Sequence, residues 1–101
     1  MTVTFDLFGG SGDDTFRFAA AGYLNGIIDA GGGTDTLDYI AYGSAVNVNL
    51  ATGSAIAVSG SVTNIENLIG SNFNDTLIGD GNNNAITGGA GDDTLQGGAG
   101  N

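Results

Sequence analysis

The feature that most constrains the fold of this chain is a nine-residue period in its glycines. Four glycines near the C-terminus fall nine residues apart: Gly70, Gly79, Gly88 and Gly97. The units that they open read GSNFNDTLI, GDGNNNAIT and GGAGDDTLQ, followed by GGAGN. GGSGDDTFR at 9–17 and AGGGTDTLD at 30–38 follow the same pattern, which is Gly-Gly-x-Gly-x-Asp-x-apolar-x. We number its positions one to nine.

Position eight of the repeat is apolar in every unit. This holds even for SVTNIENLI at 61–69, which has lost its glycines but keeps Glu66 at position six. The position-eight residues are Phe16, Leu37, Leu68, Leu77, Ile86 and Leu95. Because a strand alternates its faces with period two, the middle residue of positions seven to nine points inward and its neighbours point outward. The glycines of positions one to six predict a tight turn instead.

Each unit is therefore predicted to be a turn followed by a short strand. Two units close one coil, so we expect two short strands per 18-residue coil, with parallel strands stacked about 4.8 Å apart. The predicted fold class is all-β, a right-handed parallel β-roll, which is a β-solenoid.

The repeat resembles that of the RTX, or hemolysin-type, calcium-binding nonapeptide family. The chain is similar to the C-terminal β-roll region of serralysin-type proteases and to stretches of large secreted bacterial RTX proteins. The resemblance covers 61–101 continuously and 9–17 and 30–38 as islands. It implies Ca²⁺ held between adjacent turns by position-six carboxylates and earlier carbonyls, and type I secretion to an extracellular location.

The charge composition narrows the function classes. Eleven Asp and Glu residues face a single basic residue, Arg17, which gives a formal net charge of -10. Nucleic acid and anionic membranes are therefore poor partners, and hard divalent cations are good ones. The chain has no His and no Cys. Because it lacks the usual general base, a catalytic triad and zinc ligands, we expect no enzyme activity.

Stacked coils bring the position-six acids together and so predict metal sites. Asp75 and Asp93 are 18 residues apart and form the first predicted pair. Two carboxylates one strand spacing apart repel unless a cation lies between them, and calcium accepts carboxylate and carbonyl oxygens. Asp14 and Asp35, which are 21 apart, form a second pair if the loop 19–26 absorbs the surplus.

Weaker sites are predicted where Glu66 stacks over Asn84, and where Asn84 stacks over the final residues. Asp80 is a further candidate ligand. The turn residues expected to line the sites are Gly9, Gly10, Ser11, Gly12, Gly31, Gly33, Gly70, Asn72, Gly88, Gly89, Ala90 and Gly91. Together the turns predict about 2–4 Ca²⁺ ions.

Residues 39–60 depart from the repeat and contain no acid. Alternation in Val46, Val48 and Leu50, and again in Ile56 and Val58, predicts longer strands that continue the roll around an apolar interior. A separate β-sandwich cap is the alternative. We interpret 1–101 as one RTX β-roll domain, a fragment of a larger protein, with N-terminal repeats at 9–38, degenerate apolar coils at 39–60 and regular repeats at 61–101.

The functional prediction is a calcium-binding structural module that folds when it meets Ca²⁺ outside the cell. The alternative is a carbohydrate-binding or adhesin-like module on the same scaffold, with an outward rank of threonines (Thr15, Thr36, Thr76, Thr94) and the three tyrosines as contact residues. Open coil ends suggest end-to-end self-association. A flexible Gly-rich linker would not keep an apolar residue at position eight, and the paired acids Asp13–Asp14 and Asp92–Asp93 lack the further residues of a glycosidase site.

Overall fold

The computed structural model of the protein describes residues 7–19 and 22–97, and its regular elements there are all strands. Each strand is two or three residues long. The strands are β1 (Leu7–Phe8), β2 (Thr15–Arg17), β3 (Ile28–Asp29), β4 (Thr36–Asp38), β5 (Asn47–Asn49), β6 (Ser54–Ala55), β7 (Val62–Thr63), β8 (Asn67–Ile69), β9 (Thr76–Ile78), β10 (Ala85–Thr87) and β11 (Thr94–Gln96). In the described residues, no helix has the length and apolar character of a membrane span.

One face of the molecule is a four-stranded parallel sheet in the order β10-β8-β4-β2. Its register aligns the apolar position-eight residues of successive repeats: Phe16 with Leu37, Leu37 with Leu68, and Leu68 with Ile86. A rank of aligned inward residues on parallel strands is the arrangement of a parallel β-roll, and the predicted fold class is confirmed.

The remaining strands form two further sheets. One is three-stranded and parallel, in the order β1-β3-β7, and the other is four-stranded, in the order β11-β9-β5-β6. The coil is 18 residues long between Asp75 and Asp93, but 21 residues long between Asp14 and Asp35. The longer coil carries its surplus in the connection before β3, where the loop 19–26 was predicted, and residues 20 and 21 lie outside the described part.

The position-seven threonines do not form a single rank. Thr15 lies beside Thr36 on one sheet, and Thr76 lies beside Thr94 on another. The prediction of one continuous outward surface was wrong, because alternate repeats contribute strands to opposite faces of the roll.

The interior is filled by the position-eight side chains and by the apolar residues of the middle segment. Leu37, Leu68 and Leu77 are fully buried, whereas Leu95 is 46% exposed. Leu95 is exposed because β11 is the edge strand of its sheet. Burial of a Leu side chain contributes about 1.5–3 kcal/mol, so the cohesion of the roll is concentrated in its middle coils.

The middle segment 39–60 continues the roll but does not contain the longer strands that its alternation predicts. β5 pairs in parallel with β9, and the chain then turns back so that β6 pairs antiparallel with β5. Val46, Val48 and Leu50 are buried as expected. Val58 forms only an isolated bridge with Leu24, because the hairpin leaves this part of the chain outside the ladder.

Tyr39 anchors the middle segment inside the roll. Its ring stacks on Phe18 at a centroid distance of 4.8 Å and meets Tyr42 edge-on at 5.6 Å. Its hydroxyl donates to the Ile56 carbonyl at 2.8 Å, and burial raises the pKa of the phenol above its usual value. This tyrosine is therefore a core residue, whereas Tyr23 is 67% exposed.

The apolar residues near the N-terminus are unevenly buried, and the unit 61–69 differs from the predicted turn and strand. Phe18 and Ile28 are buried, but Leu7 is 40% exposed, and Phe5 lies outside the described residues. In the unit 61–69, β7 occupies positions that form a turn elsewhere. The missing glycines explain this, since the chain there carries β-branched residues with a strong strand preference.

The single cation of the chain pairs with the acid beside it. Arg17 and Asp38 are register partners on β2 and β4. The Arg17 Nε and Nη2 atoms both lie 2.9 Å from Asp38 Oδ2, and the carboxylate is only 2% exposed. Both residues occupy position nine of their repeats, so the stacking of equal positions brings them together. The Ile40 amide donates to the other oxygen at 2.9 Å, so the buried carboxylate has partners on both sides.

Candidate metal centre in the stacked turns

The position-six side chains form a ladder along each stack of turns. The Asp14 amide donates to Asp35 Oδ1, and the Asp35 amide donates to Glu66 Oε2, each at 2.8 Å. In the other stack the Asp75 amide donates to Asp93 Oδ1 at 2.8 Å. Each acid therefore reaches back to the amide of the preceding coil, and both predicted aspartate pairs are brought together one coil apart.

The position-five side chains reach in the opposite direction. The Thr34 amide donates to Asp13 Oδ1 at 2.8 Å, and the Asp92 amide donates to Asn74 Oδ1 at 2.7 Å. Sequence reasoning missed this contact. The sequence feature that could have predicted this contact is the pair of polar residues at positions five and six, as in Asp13–Asp14. Such a pair supplies one hydrogen-bond acceptor to each neighbouring coil.

The glycines at positions two and four let the carbonyls of one turn approach the next turn closely. Gly31 and Gly33 have φ angles of 78° and 92°, which are in the left-handed region. A Cβ atom on Gly33 would lie 2.5 Å from the Gly12 carbonyl oxygen, and one on Gly31 would overlap the Gly10 carbonyl oxygen. The carbonyls of this turn therefore face the gap between the coils.

The glycine at position one makes room for the position-six carboxylate. A Cβ atom on Gly70 would lie 2.5 Å from Asp75 Oδ2 and 2.9 Å from the Gly88 carbonyl oxygen. One on Gly9 would similarly overlap Asp14 Oδ2. Carboxylate oxygens and main-chain carbonyls therefore converge beside these glycines.

Two carboxylate oxygens in the first stack have no hydrogen-bond partner. They are Asp14 Oδ2 and Asp35 Oδ2, and both atoms are buried. Asp35 as a whole is 0% exposed. A buried anionic oxygen without a partner is strongly unfavourable, and a cation with oxygen ligands relieves it. The oxygens that converge at this turn belong to carboxylates and main-chain carbonyls, so the residues present fit a hard divalent ion such as Ca²⁺.

The pair of Asp75 and Asp93 differs from the pair of Asp14 and Asp35. Asp75 is 2% exposed, but both of its oxygens have partners, because Oδ1 accepts from the Val46 amide and Oδ2 accepts from the Ser71 amide. Asp93 is half-buried beside Gly88. The two acids therefore lie together, and Asp75 lacks the buried unpartnered oxygen that Asp14 and Asp35 each have.

The weaker predicted sites have other contacts. The Glu66 carboxylate accepts from the Asp35 amide, and Asn84 Nδ2 donates at 3.1 Å to the Glu66 main-chain carbonyl. The predicted contact between Asn84 and the chain end falls on residues 98–101, which lie outside the described part. The remaining predicted turn residues Ser11, Asn72 and Ala90 are exposed at the turn tips.

A site in these turns combines few carboxylates with main-chain oxygens. Within the described residues, no three His, Cys, Asp or Glu side chains gather around one point. Calcium accepts such mixed sets of carboxylate and carbonyl ligands, whereas zinc prefers His and Cys.

Comparison with protein families gives one match. The family model described as the RTX calcium-binding nonapeptide repeat matches in 4 copies, over residues 6–19 and 66–101. Searches of curated proteins and of solved structures gave no significant match. The matched residues include Asp14, Asp75 and Asp93 and exclude the middle segment.

Proposed function

Because this chain belongs to the RTX calcium-binding nonapeptide-repeat family, we propose that it is a structural module whose folding is completed by Ca²⁺ outside the cell. The repeats make it a calcium-binding module. Beyond calcium binding itself, we propose where the ion binds, that its binding is coupled to folding, and that both take place outside the cell.

The observation that carries the proposal is the pair of buried, unpartnered oxygens on Asp14 and Asp35. An ion between the two turns would take these oxygens together with carbonyls such as those of Gly10 and Gly12. Without an ion, both carboxylates stay desolvated beside each other, which disfavours the stacked state. Calcium would therefore favour stacking of the coil that carries Asp14 on the coil that carries Asp35.

The charge of the chain supports coupling between the ion and folding. At a net charge of -10, compaction brings like charges together, and the only cation already pairs with Asp38. Each bound divalent ion cancels two of these charges. An ion that binds only the folded form also stabilises it by mass action.

The proposed setting is a type I-secreted bacterial protein that stays loosely folded where calcium is scarce and folds where calcium is plentiful. RTX repeats are typical of secreted proteins. The proposal assigns no catalytic step to this chain, so any chemistry of a parent protein would lie in another domain.

The substitution Asp35→Asn tests the position of the ion. Asparagine keeps the Oδ1 atom that accepts from the Asp14 amide, but it replaces the unpartnered Oδ2 by an amide nitrogen that cannot ligate calcium. We expect the calcium affinity to fall at least about tenfold, or about 1.4 kcal/mol. Isothermal titration calorimetry of the whole chain measures it.

The matched control is Asp80→Asn, which removes the same charge from another turn. Its Oδ1 accepts from the Asn82 amide at 2.9 Å, and asparagine preserves that bond. We expect the calcium affinity of this variant to change by less than about twofold, because Asp80 is only partly buried and its side chain bonds within its own turn. Equal losses of affinity in both variants would mean that calcium responds only to net charge, and the proposed position would be wrong.

A further inference from the structure

Four turns of the roll fall into two classes. In the turns 30–35 and 88–93, positions two and four are glycines with positive φ: Gly31 at 78°, Gly33 at 92°, Gly89 at 79° and Gly91 at 96°. In the turns 70–75 and 79–84, position two is instead Ser71 or Asp80, and neither residue has a positive φ. We call the first class glycine turns and the second class closed turns.

In the closed turn 70–75, Ser71 satisfies the position-six acid from within the turn. The Ser71 hydroxyl donates to Asp75 Oδ1 at 2.7 Å, and the Ser71 amide donates to Asp75 Oδ2 at 2.9 Å. The Phe73 amide donates back to the Ser71 hydroxyl oxygen at 3.1 Å. Ser71 is 0% exposed, so these bonds are made away from water.

The closed turn 79–84 repeats this arrangement with different residues. The Asp80 amide donates to Asn84 Oδ1 at 3.0 Å, and the Asn82 amide donates to Asp80 Oδ1 at 2.9 Å. In both closed turns the position-two amide is bonded to the position-six side chain, and the position-two side chain accepts from the position-four amide. Two turns with different sequences therefore share one hydrogen-bond scheme.

The glycine turn 30–35 lacks this scheme. The Gly31 amide donates to Asp29 Oδ1 at 3.1 Å instead of to Asp35. Glycine also has no hydroxyl to offer. Asp35 Oδ2 is consequently left buried without a partner, as is Asp14 Oδ2 in the turn below it.

We infer that two stacked turns take a calcium ion tightly only where both have glycine at position two, as Gly10 and Gly31 do, and that Ser71 replaces the ion at Asp75. A calcium ion on Asp75 would compete with three donors that already bond its two oxygens, whereas an ion at Asp14 and Asp35 meets two oxygens that have no donor. The tight site is therefore the stack of Asp14 and Asp35, and the stack of Asp75 and Asp93 holds no tight ion. This inference rests on the proposed function.

The substitution Ser71→Gly tests this inference by gain of a site. It removes the hydroxyl and permits the positive φ of the glycine turns, so Asp75 loses a donor and its turn can open. Equilibrium dialysis against radioactive calcium, tenfold above the wild-type dissociation constant, should count one ion per wild-type chain and two per variant chain. Ser44→Gly, at an exposed serine outside the turns 9–14, 30–35, 70–75, 79–84 and 88–93, should leave the count at one.

A second variant keeps the test decisive if Ser71→Gly does not fold. Asp75→Asn should leave the count at one, because the wild-type Asp75 holds no ion. Loss of an ion in Asp75→Asn, or two ions in the wild-type chain, would overturn the inference alone. An unchanged count in folded Ser71→Gly would do the same, whereas a wild-type chain that binds no calcium would overturn the proposed function itself.

Discussion

Gly31→Ala is expected to lower the free energy of unfolding by at least about 2 kcal/mol in the presence of calcium. Gly31 has a φ of 78°, a conformation that costs an L-residue about 1–2 kcal/mol. Its new methyl group would also overlap the Gly10 carbonyl oxygen. The two coils would have to separate, and the gap between Asp14 and Asp35 would widen. Urea unfolding in excess calcium measures the loss.

Two neighbouring glycines separate the causes of that loss. At Gly32 the nearest heavy atom to an added Cβ is Ser11 Cα at 3.9 Å, and the φ is not positive, so Gly32→Ala should be nearly neutral. Gly10 has a φ of 90° but open space around the added Cβ, so Gly10→Ala should cost only the conformational part, about 1–2 kcal/mol. If the Gly31→Ala and Gly32→Ala proteins were equally stable, the turn at Gly31 would not lie as close to the turn at Gly10 as the structure shows.

Leu68→Ala should cost about 2–5 kcal/mol in unfolding free energy, whether or not calcium is present. Leu68 is 0% exposed and lies between Leu37 and Ile86 in the four-stranded sheet. Truncation removes buried apolar contacts and leaves a cavity in the most enclosed part of the roll. The loss should be the same in calcium and in chelator, because the side chain is not part of any turn. Urea unfolding under both conditions measures it.

Leu95→Ala is the matched control, since Leu95 occupies the same repeat position on the edge strand β11. It is 46% exposed, so its truncation should cost less than about 1 kcal/mol. Equal losses of unfolding free energy in the two variants would contradict the conclusion that apolar burial in the middle coils contributes most to stability.

The nine-residue period predicted most of the architecture because it fixes which residues form strands and which of their side chains point into the roll. Once Leu37 and Leu68 are assigned to the interior, the parallel register of their strands follows. The pairing of Arg17 with Asp38 was predictable for the same reason, since equal repeat positions stack. These predictions need only the period of the chain and the alternation of a strand.

The middle segment could not be predicted in the same way. Its alternation at Val46 and Val48 is real, but alternation does not specify whether the next strand continues the roll or turns back. The hairpin of β5 and β6 decides which coil stacks on which, and it places Glu66 over Asp35. Sequence reasoning gave Glu66 only Asn84 as a partner, because the repeat offers no register across an irregular insertion.

The candidate site was predictable in its residue types but not in its ranking. Spacing alone favoured Asp75 with Asp93, since they are 18 residues apart, over Asp14 with Asp35. We infer the reverse order from the hydrogen bonds of Ser71 to Asp75. The repeat pattern treats position two as a spacer, whereas the structure shows that its side chain and its φ angle determine whether the acid has partners.

The central claim is that buried carboxylate oxygens in the stacked turns require a divalent ion. Its most direct test is the free energy of unfolding in urea, a denaturant that does not screen charge, as a function of free calcium. Above the dissociation constant of one tight site, the free energy should rise by about 1.4 kcal/mol for each tenfold increase in calcium. The chain in chelator should unfold at a lower urea midpoint. An unfolding curve that is identical in calcium and in chelator would contradict the account.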